Sequence, residues 1–191
     1  MKKLLLTICS SLFCVLSYAQ TEHLTFKGLP IDGSKQEFLE KLKRQGYSRV
    51  FNVEDDVLSG SFTGRDCYIL VASTPITNTV WKAAVLFEST YDTWSLIKTT
   101  YDCLIDVYRL KYGGPALEQK DFIHPWKEGD GNELIALKSD KCVYKTFFLQ
   151  KKEGVLIGCI IISMTTNCQI LIEYEDTINS ALLTKEKADE I

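Results

Sequence analysis

Two histidines, His23 and His124, are the side chains of this chain best suited to proton transfer near neutral pH. A hydrolytic centre would need one of them beside a nucleophile and an orienting acid. His124 stands in Asp121-Phe122-Ile123-His124-Pro125-Trp126, an irregular stretch of the kind that often carries sites. A solvated loop histidine is the simpler reading, and His23 has no local motif around it. Trp126, next to Pro125, offers a ring that could bind a sugar or a protein or could anchor its own loop. Trp126 and His124 are therefore the candidate binding residues, and no residue is given a catalytic role.

The carboxylates invite the same scrutiny. Glu173 and Glu175 lie two apart and share a strand face, but a working acid–base pair needs contrasting environments and a cleft. An outward polar face explains them more simply, as a turn explains Asp55-Asp56. Glu128-Gly129-Asp130-Gly131-Asn132-Glu133 resembles a calcium loop superficially, yet lacks the spaced oxygen ligands and the distal glutamate. Phosphate-cradling, dinucleotide-binding, nucleophile-elbow and zinc-helix motifs are missing from the chain. The expectation is no metal and no cofactor.

The residues that must position these groups begin after a leader. Lys2 and Lys3 precede an apolar run from Leu4 to Leu16, and Ser17-Tyr18-Ala19 supplies small residues for cleavage before Gln20. Residues 1–19 thus read as a signal peptide, too short for a membrane span. Residues 20–191 read as one α+β domain released to the periplasm or secreted. Losing Lys2 and Lys3 leaves 20 basic against 25 acidic residues, so the net charge goes from −3 to −5. A mildly acidic surface without a basic cluster argues against nucleic acid and anionic lipid as partners.

Seven cysteines become five without Cys9 and Cys14: Cys67, Cys103, Cys142, Cys159 and Cys168. Cys67, Cys142 and Cys168 each open an expected strand, so neighbouring strand ends could pair two of them. Buried free thiols are the equal alternative. No pair has the C-x-x-C spacing of a zinc knuckle or redox motif.

Along the chain, a lead-in strand over 21–26 precedes a helix that starts at Ser34, with Glu37 completing a capping box, and ends at Gly46. Strands are expected at 47–53, 57–62, 67–73 and 79–88. Trp94, Ile97, Tyr101, Leu104, Ile105, Tyr108 and Tyr112 predict a helix over 94–112, stopped by Gly113-Gly114-Pro115. Its other side carries Leu96, Cys103, Val107 and Leu110, best covered by another element of the chain, or else by a partner chain. Residues 116–131 read as irregular. Strands follow at 133–138, 142–150, 155–164 and 168–175, and the polar tail after Asn179 is expected to fray. Val155–Met164 contains Val155-Leu156-Ile157-Gly158-Cys159-Ile160-Ile161-Ile162. It reads as a strand covered on both faces, its six aliphatic side chains contributing roughly 9–18 kcal/mol gross.

This order, a helix and four strands twice over, suggests a duplication with halves near 20–90 and 91–180. Val85-Leu86-Phe87-Glu88 recurs as Ile170-Leu171-Ile172-Glu173. The chain also resembles uncharacterised exported proteins abundant in Bacteroidota of the gut and mouth. The resemblance is carried by residues His23 through Gly33, by Gly60-Ser61-Phe62-Thr63-Gly64 with Asp66-Cys67, by Trp94, by Lys111-Tyr112-Gly113, and by Tyr174-Glu175-Asp176-Thr177-Ile178-Asn179. Such proteins are similar in plan to the tandem-repeat fold of β-lactamase-inhibitory protein. The resemblance implies two repeats packed into one body, each a helix with a four-stranded antiparallel sheet, and implies no activity. The expected function is non-enzymatic binding of a protein partner in the envelope or outside the cell. The alternatives are a small periplasmic hydrolase using His124, or an envelope scaffold dimerising through the 94–112 helix.

Overall fold

The computed structural model describes residues 22–50 and 57–189. The fold is mixed α+β. A small hairpin pairs β1 (Thr25–Phe26) with β2 (Leu29–Pro30). Ser34 then accepts the Glu37 amide hydrogen at 3.3 Å and starts α1 (Lys35–Arg44), which buries Phe38, Leu39 and Leu42. Gly46, at φ +98°, turns the chain out of the helix.

Eight strands form one antiparallel sheet. They are β3 (Ser48–Arg49), β4 (Val57–Phe62), β5 (Arg65–Ser73), β6 (Val80–Phe87), β7 (Leu117–Phe122), β8 (Cys142–Lys152), β9 (Val155–Met164) and β10 (Ile170–Asp176). Their order across the sheet is β3-β4-β5-β6-β10-β9-β8-β7, so two meanders meet along β6 and β10. Between them runs α2 (Trp94–Tyr112), and α3 (Glu133–Lys138) separates β7 from β8. The chain continues from β10 into α4 (Thr177–Asp189).

One face of the sheet is the core. Leu58, Ile69, Val85, Ile172, Ile162 and Thr146 form a continuous buried row, each aligned with the next across neighbouring strands. Over it, α2 lays the seven residues of its expected apolar face, all buried or half-buried. Two aromatic groups fill the space beneath. Trp94, Tyr101, Phe122 and Tyr144 meet edge to face, and the Tyr101 hydroxyl shares a 2.6 Å hydrogen bond with Thr146. The Tyr108 and Tyr174 hydroxyls hydrogen-bond at 2.5 Å. Burial pushes both phenols far above the usual tyrosine range, so they stay neutral.

Several expectations are corrected. The lead-in strand over 21–26 is a two-residue strand of a hairpin. Residues 133–138 form helix α3, because Glu, Leu, Ala, Leu and Lys favour helix and no alternation opposes them. The strand at the sheet edge beside β8 is β7, in a stretch expected to be irregular, and its Leu-Glu-Gln-Lys-Asp-Phe hides its strand nature behind the charges of an edge position. The tail expected to fray is helical to Asp189. The two faces of β9 are unequal: Gly158, Ile160, Ile162 and Met164 are buried, whereas Ile157, Cys159 and Ile161 are only half-buried and Val155 and Leu156 at the strand's start are exposed. Nothing in the described chain covers the other side of α2: Leu96, Cys103, Val107 and Leu110 are exposed, since that helix is an outer layer. Cys168 lies in a turn at φ +56°, just before its strand. The strand expected at 47–53 is seen as Ser48–Arg49, and its later part lies outside the described residues.

α4 packs against β6, β9 and β10 and is pinned near its end by Glu186. Its carboxylate accepts the Ile76 amide hydrogen at 2.8 Å and the Thr77 hydroxyl at 2.6 Å. Burial works against the charge, but the hydrogen bonds from Thr77, Ile76 and Thr74 together outweigh it and hold the acid below its usual range. The stabilisation is therefore complete above the ordinary value of 4.5 and is lost as pH falls through the lowered value in the fold. Glu186→Gln is expected to lower the melting temperature at about pH 7 and to make little difference at about pH 3, read from thermal melts of both proteins.

Candidate functional site

The alternation that buries one side of each strand sends the intervening residues to a second face. Register places Leu70, Ala84, Glu173, Ile161, Phe147 and Leu117 in one row across β5, β6, β10, β9, β8 and β7. Leu86 and Leu171 lie opposite each other in the adjacent row. Leu70, Leu117 and Leu149 are exposed, and Leu86, Phe147, Ile161 and Leu171 are half-buried. A shallow depression of about 520 Å³ is lined by Leu70, Ala72, Lys82, Ala84, Leu171 and Glu173, among others. Apolar surface gathered like this, with a few charges set into it, suits recognition better than reaction.

The charges at its centre are already matched. Lys82 Nζ donates to Glu173 Oε1 at 3.0 Å, lies 3.6 Å from Glu175 and sits 4.8 Å from the centre of the Trp81 ring. Glu173 and Glu175 do share the outward face, as their spacing predicts, but one lysine serves both. They lack the contrast in environment that divides acid from base.

A second polar cluster joins the two ends of the described chain. Asp176, fully buried at the start of α4, accepts the amide hydrogens of Leu24 and Asn179, each at 2.9 Å. His23 Nδ1 stands 3.2 Å from Asp176 Oδ1 without hydrogen-bond geometry, and Nε2 stands 3.6 Å from Asp32 Oδ2. Asn179 Nδ2 donates to the Ile31 and Val80 carbonyls and to Asp32. Burial raises the Asp32 acid, but hydrogen bonds from Gly33 and Asn179 and the nearby His23 and Lys41 bring it below the usual range. Both nitrogens of His23 face acids, leaving neither directed at a nucleophile. This cluster fastens the amino-terminal segment to the sheet; sequence reasoning passed it over because its parts lie some 150 positions apart.

No protein family, characterised protein or solved structure matches the chain. Function is then a matter of what these surfaces can do.

The two residues selected from sequence are neighbours with different surroundings. His124 is exposed, and among the described residues no hydrogen bond or ion pair joins it. Trp126 is half-buried and packs on the core, which makes it an anchor for its loop, and its amide donates to the Ile123 carbonyl at 3.1 Å. The calcium-like loop turns its oxygens onto its own backbone and onto Tyr144: Asp130 accepts from Lys127 and Asn132, Glu133 from Gly129, and Glu128 from the Tyr144 hydroxyl. No group of acids, histidines or cysteines among the described residues is arranged to hold a metal ion.

The five cysteines among the described residues are free thiols. Burial pushes Cys142 up to about 12 and Cys67 and Cys159 up to about 11, with nearby acids adding to each. Cys168 is raised for the same reason. Of the described cysteines, Cys103 alone is exposed. Brief treatment of the folded protein with iodoacetamide near pH 8 is expected to alkylate Cys103 first, by at least about tenfold over the others in peptide mapping.

Proposed function

We propose that this chain is an exported, non-enzymatic binding protein that takes a protein partner on the open face of its sheet. The observation carrying this reading is the outward face of the sheet, where exposed Leu70, Leu117 and Leu149 and half-buried Leu86, Phe147, Ile161 and Leu171 surround the Lys82–Glu173 pair with no described helix laid over them. The leader over residues 1–19 supports release to the periplasm or beyond, and the acidic balance of the remainder argues against nucleic acid as the occupant. Among the described residues no helix is long and apolar enough to cross a membrane.

The same reading includes two related halves, as in the exported Bacteroidota proteins the sequence resembles. Sheet register supports a duplication. Leu86 and Leu171 correspond when the halves are aligned through Val85-Leu86-Phe87 and Ile170-Leu171-Ile172, and they pair directly across β6 and β10. Corresponding residues facing each other at the seam are what a two-fold relation between halves requires.

The test is retention from an envelope extract by immobilised protein, compared with a Leu70→Glu, Leu171→Glu double variant. A partner held by the original chain and weakened at least about tenfold by the variant, with melting unchanged, is the expected result. A partner held equally by both, or no reproducible partner, would overturn the reading.

A further inference from the structure

The exposed side of α2 repeats Leu96, Cys103 and Leu110 at every seventh position, with Val107 beside them. Leu110 is 90% exposed, Leu96 55% and Val107 52%, and their spacing gathers them on one side of the helix instead of scattering them. The helix runs from 94 to 112, so Cys103 is its midpoint. We propose that two copies of this chain pair through this face, α2 against α2 and antiparallel, and that a disulfide between the two Cys103 residues closes the pair.

The stripe is complementary to itself. A two-fold axis through Cys103 sets Leu96 against Leu110 of the second copy, and Thr99 against its Val107. The charges alongside are already matched within the helix: Lys98 bonds Asp102 at 2.7 Å, and Arg109 bonds Asp106 at 3.2 Å. Closing the contact therefore strands no ion in a dry interface. Packed helices lie about 8–10 Å apart with Cα atoms about 2.3 Å from each axis, so facing Cα atoms approach to about 3.5–5.5 Å. That range overlaps the roughly 4.4–6.8 Å spanned by disulfides.

Area decides why the bond matters. Three aliphatic side chains and a thiol fall well short of the about 800 Å² per partner of a standard interface, so contact alone would be weak and short-lived. A covalent centre converts it to a lasting dimer. The other four described cysteines are buried or half-buried with raised thiols, leaving Cys103 as the accessible one among them. The oxidant is a small disulfide of the glutathione type. One Cys103 thiolate attacks it, forming a mixed disulfide and releasing one glutathione thiol. The second Cys103 thiolate displaces the other, so two protein thiols are oxidised and one glutathione disulfide is reduced. Only the place where that oxidant is met depends on the proposed export; the open sheet face plays no part.

Purified protein is incubated with oxidised glutathione and followed by non-reducing electrophoresis, peptide mapping and sedimentation. A dimer linked only through Cys103 is expected, and none from Cys103→Ser. A Leu96→Asp, Leu110→Asp variant, with both changes at exposed positions, is expected to cross-link at least about tenfold more slowly while iodoacetamide still alkylates its Cys103 at about the original rate. A glutathione adduct without dimer, linkage through another cysteine, or equal cross-linking of the aspartate variant would overturn the proposal.

Discussion

Asp176→Ala is expected to lower the free energy of unfolding by about 3–4 kcal/mol. The carboxylate is fully buried, and its two oxygens accept the amide hydrogens of Leu24 and Asn179. Truncation leaves both donors without acceptors in a place water does not reach, at about 1–3 kcal/mol each. It also removes the carboxylate immediately before α4, at the helix end where the dipole favours a negative charge. Asp176→Asn keeps one acceptor oxygen and is expected to lose about half as much. Urea unfolding measures both values, and hydrogen exchange at the Leu24 and Asn179 amides reports whether the loss arises there. A loss under about 1 kcal/mol for Asp176→Ala would show that the cluster does not fasten the chain ends as described.

The parts of this fold that could be read from sequence are those where one local pattern had no rival. Helix α2 begins and ends where its apolar period and the following Gly113-Gly114-Pro115 place it. Strands β4 and β6 follow alternation bounded by turns, and Ser34 with Glu37 marks the start of α1. Where two signals competed, tertiary position decided. β7 reads as loop because an edge strand carries Glu118, Lys120 and Asp121, and nothing in those six residues announces the partner strand that orders them. α4 was hidden because its start is defined by Asp176 and Asn179, whose partners Leu24, Ile31 and Val80 come from distant segments.

The candidate site shows the same division. His124 and Trp126 were selected by residue type, and type alone does not distinguish a loop anchor from a binding ring. The sheet face was legible in principle, because Leu86 and Leu171 fall on the parity opposite the core residues Val85 and Ile172. What sequence lacks is whether a helix covers that parity. β9, apolar at almost every position, suggested cover on both sides, whereas its outward residues contribute to an accessible face. A continuous apolar run is thus equally compatible with burial on both sides and with burial on one side and an accessible apolar face on the other.

Gly158→Ala is expected to cost about 3 kcal/mol, although the same change at an open site with ordinary backbone would stabilise by about 0.4–1 kcal/mol through the unfolded chain. An added Cβ at residue 158 would lie 2.6 Å from the Glu175 carbonyl oxygen and 2.8 Å from Leu24 Cβ. The carbonyl belongs to β10, which is paired on both sides by β6 and β9, so it cannot withdraw without breaking the ladder. Leu24 is buried at 4% and held through its own amide by Asp176, so it has little room either. Gly114 provides the control, since nothing lies within 4 Å of a Cβ there. Gly114→Ala is expected to be neutral or slightly stabilising by the same measurement. Leu24→Gly alone would lose about 3–4 kcal/mol of buried side chain and backbone order. It removes the Cβ and Cδ2 that an added Cβ at residue 158 would meet, so combined with Gly158→Ala it relieves one of the two clashes. The double variant is therefore expected to be about 1 kcal/mol more stable than the sum of the single losses predicts. Strict additivity in urea unfolding would mean that the crowding at residue 158 comes from the strand alone, and a stabilised Gly158→Ala would mean that β9 and β10 do not approach as closely as this register requires.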